Sequence, residues 1–366
     1  MEAQGREAVG VDRKAAWCRL AALLLGIVAC LIVAGSKDPN PMLFLMPGGM
    51  TDLRLFRLVV TRVQAGDSFH EATQQEFRTY GYPTRSVFNW RTPFYAWWLG
   101  RVTGVEPGRW LLMAGVLLAV LLASRDMFDD CGIAASGGVV SLVGAMAWCV
   151  GKETVFFTEL WAGMLIVLSL CALRRGWTAV GVGLGLTAVF YRELALPYAL
   201  VALCLAAWNG KRREALGWLV GLVLFVVFMA GHAALVHSRL TAIDAAIEGG
   251  WVRFGGVRFL LATTRLNVFV ISAWTAAFFL PLACLGLASV SSRGGTGPLI
   301  GLTAAVYLVA FSVVGNSFND YWGLMTAPLL ALGVGYAPTA LWRLLVAAFP
   351  RDRPGVSTLE ATAPAS

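Results

Sequence analysis

The stretch WTAVGVGLGLTAVFYRELALPYALVALCLAAW, residues 177–208, decides the fold. It is 32 residues long and carries charge only at Arg192-Glu193. A bilayer-crossing helix takes about 20 apolar residues, so this stretch is too long for one crossing and slightly short for two regular ones. It reads as two short helices whose turn, at Arg192-Glu193, reaches one face of a membrane.

The flanking sequence repeats the theme. Upstream, apolar runs cover Ala16–Gly35, Gly108–Ser124, Cys131–Val150 and Thr154–Leu173. Downstream they cover Ala215–Val236, Leu266–Val290, Pro298–Val314 and Tyr321–Leu341. With the split stretch, about ten transmembrane helices are expected. The composition agrees: 58% of the 366 residues are hydrophobic and 14% charged, against about 45–50% and 25% in soluble domains. Mean hydropathy is +0.70. A soluble enzyme, a disordered chain and a disulfide-stapled scaffold are thereby excluded. The expected fold class is an all-α polytopic membrane protein, with one transmembrane domain over residues 1–349. External loops are expected over about 36–107 and 237–265, and a disordered tail over 350–366. Ala16–Gly35 follows Arg6, Arg13 and Lys14, and Ala34-Gly35-Ser36 resembles a signal cleavage site. The run is read as an uncleaved anchor because the chain goes on as a membrane protein.

The net charge of +8 comes from Lys and Arg spread over short loops, with no basic tract of five, so no nucleic-acid partner is implied. The seven cysteines lie in or beside apolar runs and form no C-x-x-C pair. Short cytoplasmic loops favour Lys and Arg. Placing the N-terminus inside puts Arg125, Arg174-Arg175, Lys211-Arg212-Arg213 and Arg293 inside, and leaves only Lys152 and Arg192 in short outside loops. Both termini are then cytoplasmic. One crossing instead of two at residues 177–208 would break this alternation.

The outside face gathers most of the acidic residues: Asp52, Asp67, Glu71, Glu76, Glu153, Glu159, Glu193, Asp244, Glu248 and Asp320. Charges beside hydrocarbon usually face a protein cavity, so their convergence on one face implies an extracytoplasmic site. Leu53, Phe56, Val60 and Val63 have helical spacing, which puts Asp52 at the start of a short amphipathic helix. Thr51 or Asp52 would also serve there simply as a cap. Tyr80, Tyr82, Pro83, Trp90 and Pro93 suit a loop that stacks on a sugar ring, or an interfacial aromatic belt. Pro93–Gly100 reads as an interfacial helix. In the second loop Leu240, Ile243, Ala246 and Ile247 form one face. Arg239, Arg253, Arg258 and Arg265 suit bidentate phosphate binding or snorkelling to headgroups. Arg192-Glu193 would equally serve as an ion pair at a turn. His232 reads as a hydrogen-bond partner within the bundle, and His70-Glu71 as a weak metal or acid–base pair.

These features resemble the GT-C superfamily of integral-membrane glycosyltransferases. The likeness rests on a first span followed at once by a long external loop with Asp52 near its start. It rests also on Ala65-Gly66-Asp67-Ser68-Phe69, on Tyr82-Pro83 and Thr92-Pro93, on Phe190-Tyr191-Arg192-Glu193, and on Asp320-Tyr321-Trp322 before the last span. Two departures stand out: no adjacent acidic pair follows the first span, and no soluble C-terminal domain follows the last. The resemblance implies a polyprenyl-phosphate sugar donor within membrane lipid, an acceptor on the outer face, and location in a bacterial inner membrane. By the same resemblance, Asp52 is the expected general base. Arg192, Glu193, Arg253, Arg258, Tyr82, Trp90, Asp320 and Tyr321 are expected to bind substrate. No ligand set for a divalent metal is evident, and no cofactor is expected. A transporter or lipid flippase, or an inactive membrane scaffold, are the competing readings. A transporter predicts charges strung through the bilayer and often internal repeats.

Overall fold

In the computed structural model, residues 12–36, 51–246 and 250–350 are described. Expectations for Ile247, Glu248 and the tail from residue 351 fall outside them. The expected turn in the 32-residue stretch is present: α9 (Thr178–Tyr191) ends at Arg192, and α10 (Leu196–Trp208) begins after a 3-10 turn at Glu193–Ala195. Arg192 has extended backbone angles, φ −148° and ψ 115°, which interrupts the helical ladder.

The remaining apolar runs form helices close to their expected places. They are α1 (Arg13–Gly35), α6 (Val105–Cys131), α7 (Ser136–Met146), α8 (Thr158–Arg174), α11 (Arg212–His237), α13 (Ala273–Ser291), α14 (Gly297–Val313) and α15 (Gly323–Ala348). The runs Arg13–Gly35, Val105–Val150, Arg212–His237, Ala273–Ser291 and Ser317–Ala348 are long and apolar enough to cross a bilayer. Thr178–Tyr191, Glu193–Trp208 and Gly297–Val313 are shorter apolar helices. The chain is an all-α integral membrane protein. Leu219, Val220, Val223, Leu224, Val226 and Val227 of α11 are exposed, as a lipid-facing surface requires.

Two run boundaries are corrected. The run expected from Leu266 becomes helical only at Ala273. Buried Asn267 holds the segment out of the helix by donating to the Ser141 carbonyl (2.9 Å) and hydroxyl (3.1 Å), and Ser272 then caps α13. The run expected from Thr154 opens with a 3-10 turn, Thr154–Phe156, before α8.

Among its described residues the first long loop has four shorter helices: α2 (Asp52–Ala65), α3 (Phe69–Thr79), α4 (Val87–Trp90) and α5 (Phe94–Trp97). Helix α2 matches its predicted spacing, with Leu55, Phe56, Val59, Val60 and Val63 buried. Thr51 accepts from the Arg54 amide at its start, and Gly66 ends it at φ 119°. In the described part of the second loop, α12 (Gly256–Thr264) is the helical piece. The face expected at Leu240–Ala246 is irregular because Asp244 turns inward. Its carboxylate accepts from Arg78 (2.7 Å), Thr84 (2.6 Å) and the Thr241 amide (2.6 Å). Those bonds stitch the two loops together.

The core is built around α8 and α15. In α8 every residue from Thr158 to Ala172 is buried. Helix α15 packs on α7, α8 and α13. It comes close to its neighbours where Gly333 meets Gly286 of α13 and Gly335 meets Gly138 of α7. At those points a side chain would meet backbone atoms, the small-residue packing that brings helices together without a hydrophobic drive in lipid.

Candidate active site

The split at Arg192 delivers a charged side chain to the end of the bundle that the first loop covers. Arg192 lies 2.8 Å (Nε) from Glu159 Oε1 and donates to Glu193 Oε1 at 2.7 Å. Glu159, at the N-terminal end of α8, is fully buried. Its other oxygen lies 3.4 Å from Arg91. Arg91 follows α4 and is itself only 3% exposed. Its guanidinium donates to Thr158 Oγ1 at 3.0 Å and to the Tyr321 hydroxyl at 3.4 Å, and it lies 4.0 Å above the Phe56 ring. A buried carboxylate thus spans two guanidiniums, an arrangement in which each charge is tolerable only because the others are present.

Asp52 joins this cluster from the first turn of α2. Burial pushes its carboxyl above the usual range, while Arg91 pulls it back, Glu159 adds to the rise and Arg192 again opposes it. Asp52 is half-buried, in contrast to its enclosed neighbours. Tyr82 and Tyr321 complete the group. Burial, and secondarily Asp52, hold the Tyr82 phenol well above its ordinary pKa, so it stays a hydrogen-bond donor.

Thr92 secures the arrangement from beneath. Its hydroxyl donates to the Phe190 carbonyl (2.6 Å) and lies 3.2 Å from that of Tyr191. These carbonyls belong to the end of α9, where the helix has no further turn to satisfy them. Trp161 stacks on Tyr191 with centroids 4.9 Å apart.

The other expected residues are placed as follows. Arg253 donates to Asn316 Oδ1 at 2.7 Å. Asn316 donates its amide to Asn319 Oδ1, and the Asn319 side chain reaches the Tyr321 hydroxyl. Arg253 therefore connects to Arg91 through a chain of polar groups. Arg258 bonds Ser36 at the end of α1, and the cation acting on Asp320 is Arg265. Neither reaches Asp52 through a described contact. Trp90 is committed to the loop core: it is 1% exposed and its indole N–H donates to the Thr84 carbonyl at 2.7 Å. It packs against Phe77 and His70.

Sequence reasoning gave no role to Arg91 and counted Glu159 only as one acid among many. The usable signal was a carboxylate five residues inside the apolar run Thr154–Leu173, which demands a cation. Among the described residues no group of three or more His, Cys, Asp or Glu could hold a metal ion.

The all-α bundle, with its charged cluster at one end, shares its fold with a solved membrane protein. It is similar to ArnT from Cupriavidus metallidurans, solved bound to undecaprenyl phosphate, with 15% identity and a TM-score of 0.50. The likeness covers 90% of this chain and 62% of that one. The apo state of the same ArnT gives 17% identity, the same coverage and a TM-score of 0.49. No family model and no curated protein matches the sequence.

Proposed function

We propose that the chain is a membrane glycosyltransferase that moves a sugar from a polyprenyl-phosphate donor to an acceptor hydroxyl at the extracytoplasmic face, with Asp52 as general base. The observation that carries this reading is the half-buried Asp52 beside two guanidiniums locked by Glu159. The fold it shares with ArnT adds support.

The acceptor oxygen attacks the anomeric carbon, the bond from that carbon to the phosphate oxygen breaks, and the phosphate leaves with the electron pair. Direct displacement inverts the anomeric centre. The leaving phosphate gains charge and needs fixed cations aimed at it; Arg91 and Arg192 supply them, with Arg253 behind Tyr321. The acceptor proton passes late to Asp52. An ordinary carboxylate is a weak base, and the burial that raises Asp52 improves the match to neutral pH. Tyr82 and Tyr321 shape the sugar pocket.

A transporter needs charge along its path. Helix α8, the buried centre, carries none between Glu159 and Arg174, so the charges sit at its two ends. The test is transfer of labelled sugar from polyprenyl phosphate in membranes. Asp52→Asn should lower the rate by about 10²–10⁴-fold. The wild-type rate should fall off in acid with a midpoint above the ordinary Asp value, because protonation removes the base. Equal transfer by the two proteins removes Asp52 from the mechanism.

A further inference from the structure

Arg91 is the joint between two anchored segments. Behind it, Trp90 is fixed in the loop core by its bond to the Thr84 carbonyl. Ahead of it, Thr92 is tied to the end of α9. The residue between them takes φ 59° and ψ −179°, a left-handed φ that favours glycine. The four residues of α4 are too few to impose that value, and the two anchors hold it.

Thr92 is fully enclosed, and a buried hydroxyl needs an acceptor. Its proton goes to the Phe190 carbonyl at 2.6 Å, with the Tyr191 carbonyl 3.2 Å away. The Tyr191 carbonyl belongs to the peptide that leads into Arg192. The N–H of that same peptide donates to the Ala188 carbonyl at 2.9 Å. One peptide plane is therefore held at both edges, and it fixes the point from which the Arg192 side chain leaves the main chain. Phe94 strengthens the docking: its ring lies 6.1 Å from that of Phe190 and edge-on to that of Tyr191 at 5.1 Å.

The two arginines meet again at their tips. Glu159 Oε1 lies 2.8 Å from Arg192 and Oε2 lies 3.4 Å from Arg91. The contacts close a ring through Arg91, Thr92, Tyr191, Arg192 and Glu159. Each guanidinium is thus fixed at its base through Thr92 and at its tip by Glu159. Glu159 alone would leave the bases free to shift, because arginine is a long side chain with many rotamers.

We propose that Thr92 is a positioning residue: its hydroxyl sets the spacing of the Arg91 and Arg192 guanidiniums so that both engage one phosphate of the lipid donor. This rests on the reading of the site as a polyprenyl-phosphate transferase. Two planar forks share one phosphate only when their separation and tilt match its oxygens. Thr92 touches no reacting atom and acts through the two arginines.

The test is binding of undecaprenyl phosphate to the purified full-length chain in nanodiscs. Thr92→Val keeps the branched shape and removes the donor, so it should weaken binding about tenfold. Thr92→Ser keeps the hydroxyl and should recover most of that loss. Arg192→Lys keeps the charge facing Glu159 but replaces the rigid fork by a flexible point charge, and it should also weaken binding about tenfold. In the Arg192→Lys background, Thr92→Val should cost less than about twofold more, because spacing no longer matters once one fork is gone. A residue that only stabilised the bundle would cost the same in both backgrounds. If the valine variant does not fold, Thr92→Cys, whose thiol is a weak donor, reads the same comparison. Wild-type binding by Thr92→Val or Thr92→Cys overturns the positioning role and leaves the transferase reading standing. So does an equal loss in both backgrounds, a serine variant as weak as the valine one, or wild-type binding by Arg192→Lys. Failure of the wild-type chain to bind undecaprenyl phosphate overturns the transferase reading as well.

Discussion

Glu159 is the residue on which the site turns. It is enclosed, it faces Arg91 and Arg192, and it brings no hydrophobic gain of its own. Breaking such a buried set by removing one charge leaves the others uncompensated, at about 3–5 kcal/mol. Glu159→Gln should therefore lower stability in detergent by that order, measured by chemical or thermal unfolding. Pairing it with Arg192→Gln should recover part of the loss, because one orphaned cation goes with it. The same two guanidiniums oppose the upward push that burial gives the Asp52 carboxyl, so stability and the proposed chemistry draw on one cluster. Asp244 shows the contrast. Its carboxyl is held well below the usual range by Arg78, Thr84 and Thr241, which leaves it a poor proton acceptor and a good staple between loops.

Among the elements, α15 carries the packing. Its glycines let α7 and α13 approach to backbone contact. Gly333→Val would drive a branched side chain into the Ala283 carbonyl and Leu287. Overpacking of this kind costs about 1–3 kcal/mol or more. The expected result is a lower melting temperature with an unchanged ratio of transfer rates between the Asp52 and Asp52→Asn forms, since Gly333 lies away from the charged cluster. Helices α2 and α3 act differently. They are held by the bundle through Phe56 under Arg91 and His70 against His232, and they bring Asp52 to a place fixed by other elements.

For the molecule as a whole, the two ends differ in kind. One end gathers Asp52, Arg91, Glu159, Arg192 and Tyr321. The other has a network in which Arg174 pairs with Asp130 (2.8 Å) and Arg175 with Asp126 (2.9 Å), while Tyr336 donates to Asp130. That second network is satisfied internally and clamps α6, α8 and α15. The proposed orientation puts the first end outside. In a cysteine-free background, Asp320→Cys should be labelled by a membrane-impermeant thiol reagent on intact cells, and Arg212→Cys should not. The reverse pattern would overturn the orientation and with it the extracytoplasmic site.

Hydropathy is a local property, and it was enough to place the helices. The lipid core leaves a backbone no partner but its own helix, so a long apolar run has one outcome, and the charged break at Arg192-Glu193 has to lie at an end. The spacing of Leu53, Phe56, Val60 and Val63 likewise announced α2, with Asp52 at its head. Boundaries set by side-chain capture were not legible: Asn267 kept seven residues out of α13 by bonding Ser141, 126 positions earlier. The pairing of charges was hidden for the same reason. Arg91 and Glu159 are 68 residues apart, and His70 and His232 are 162 apart. Such contacts leave no periodicity in the chain. They exist because helices packed in three dimensions bring together polar groups that each lose water and must find a partner, and only the packing chooses which partner that is.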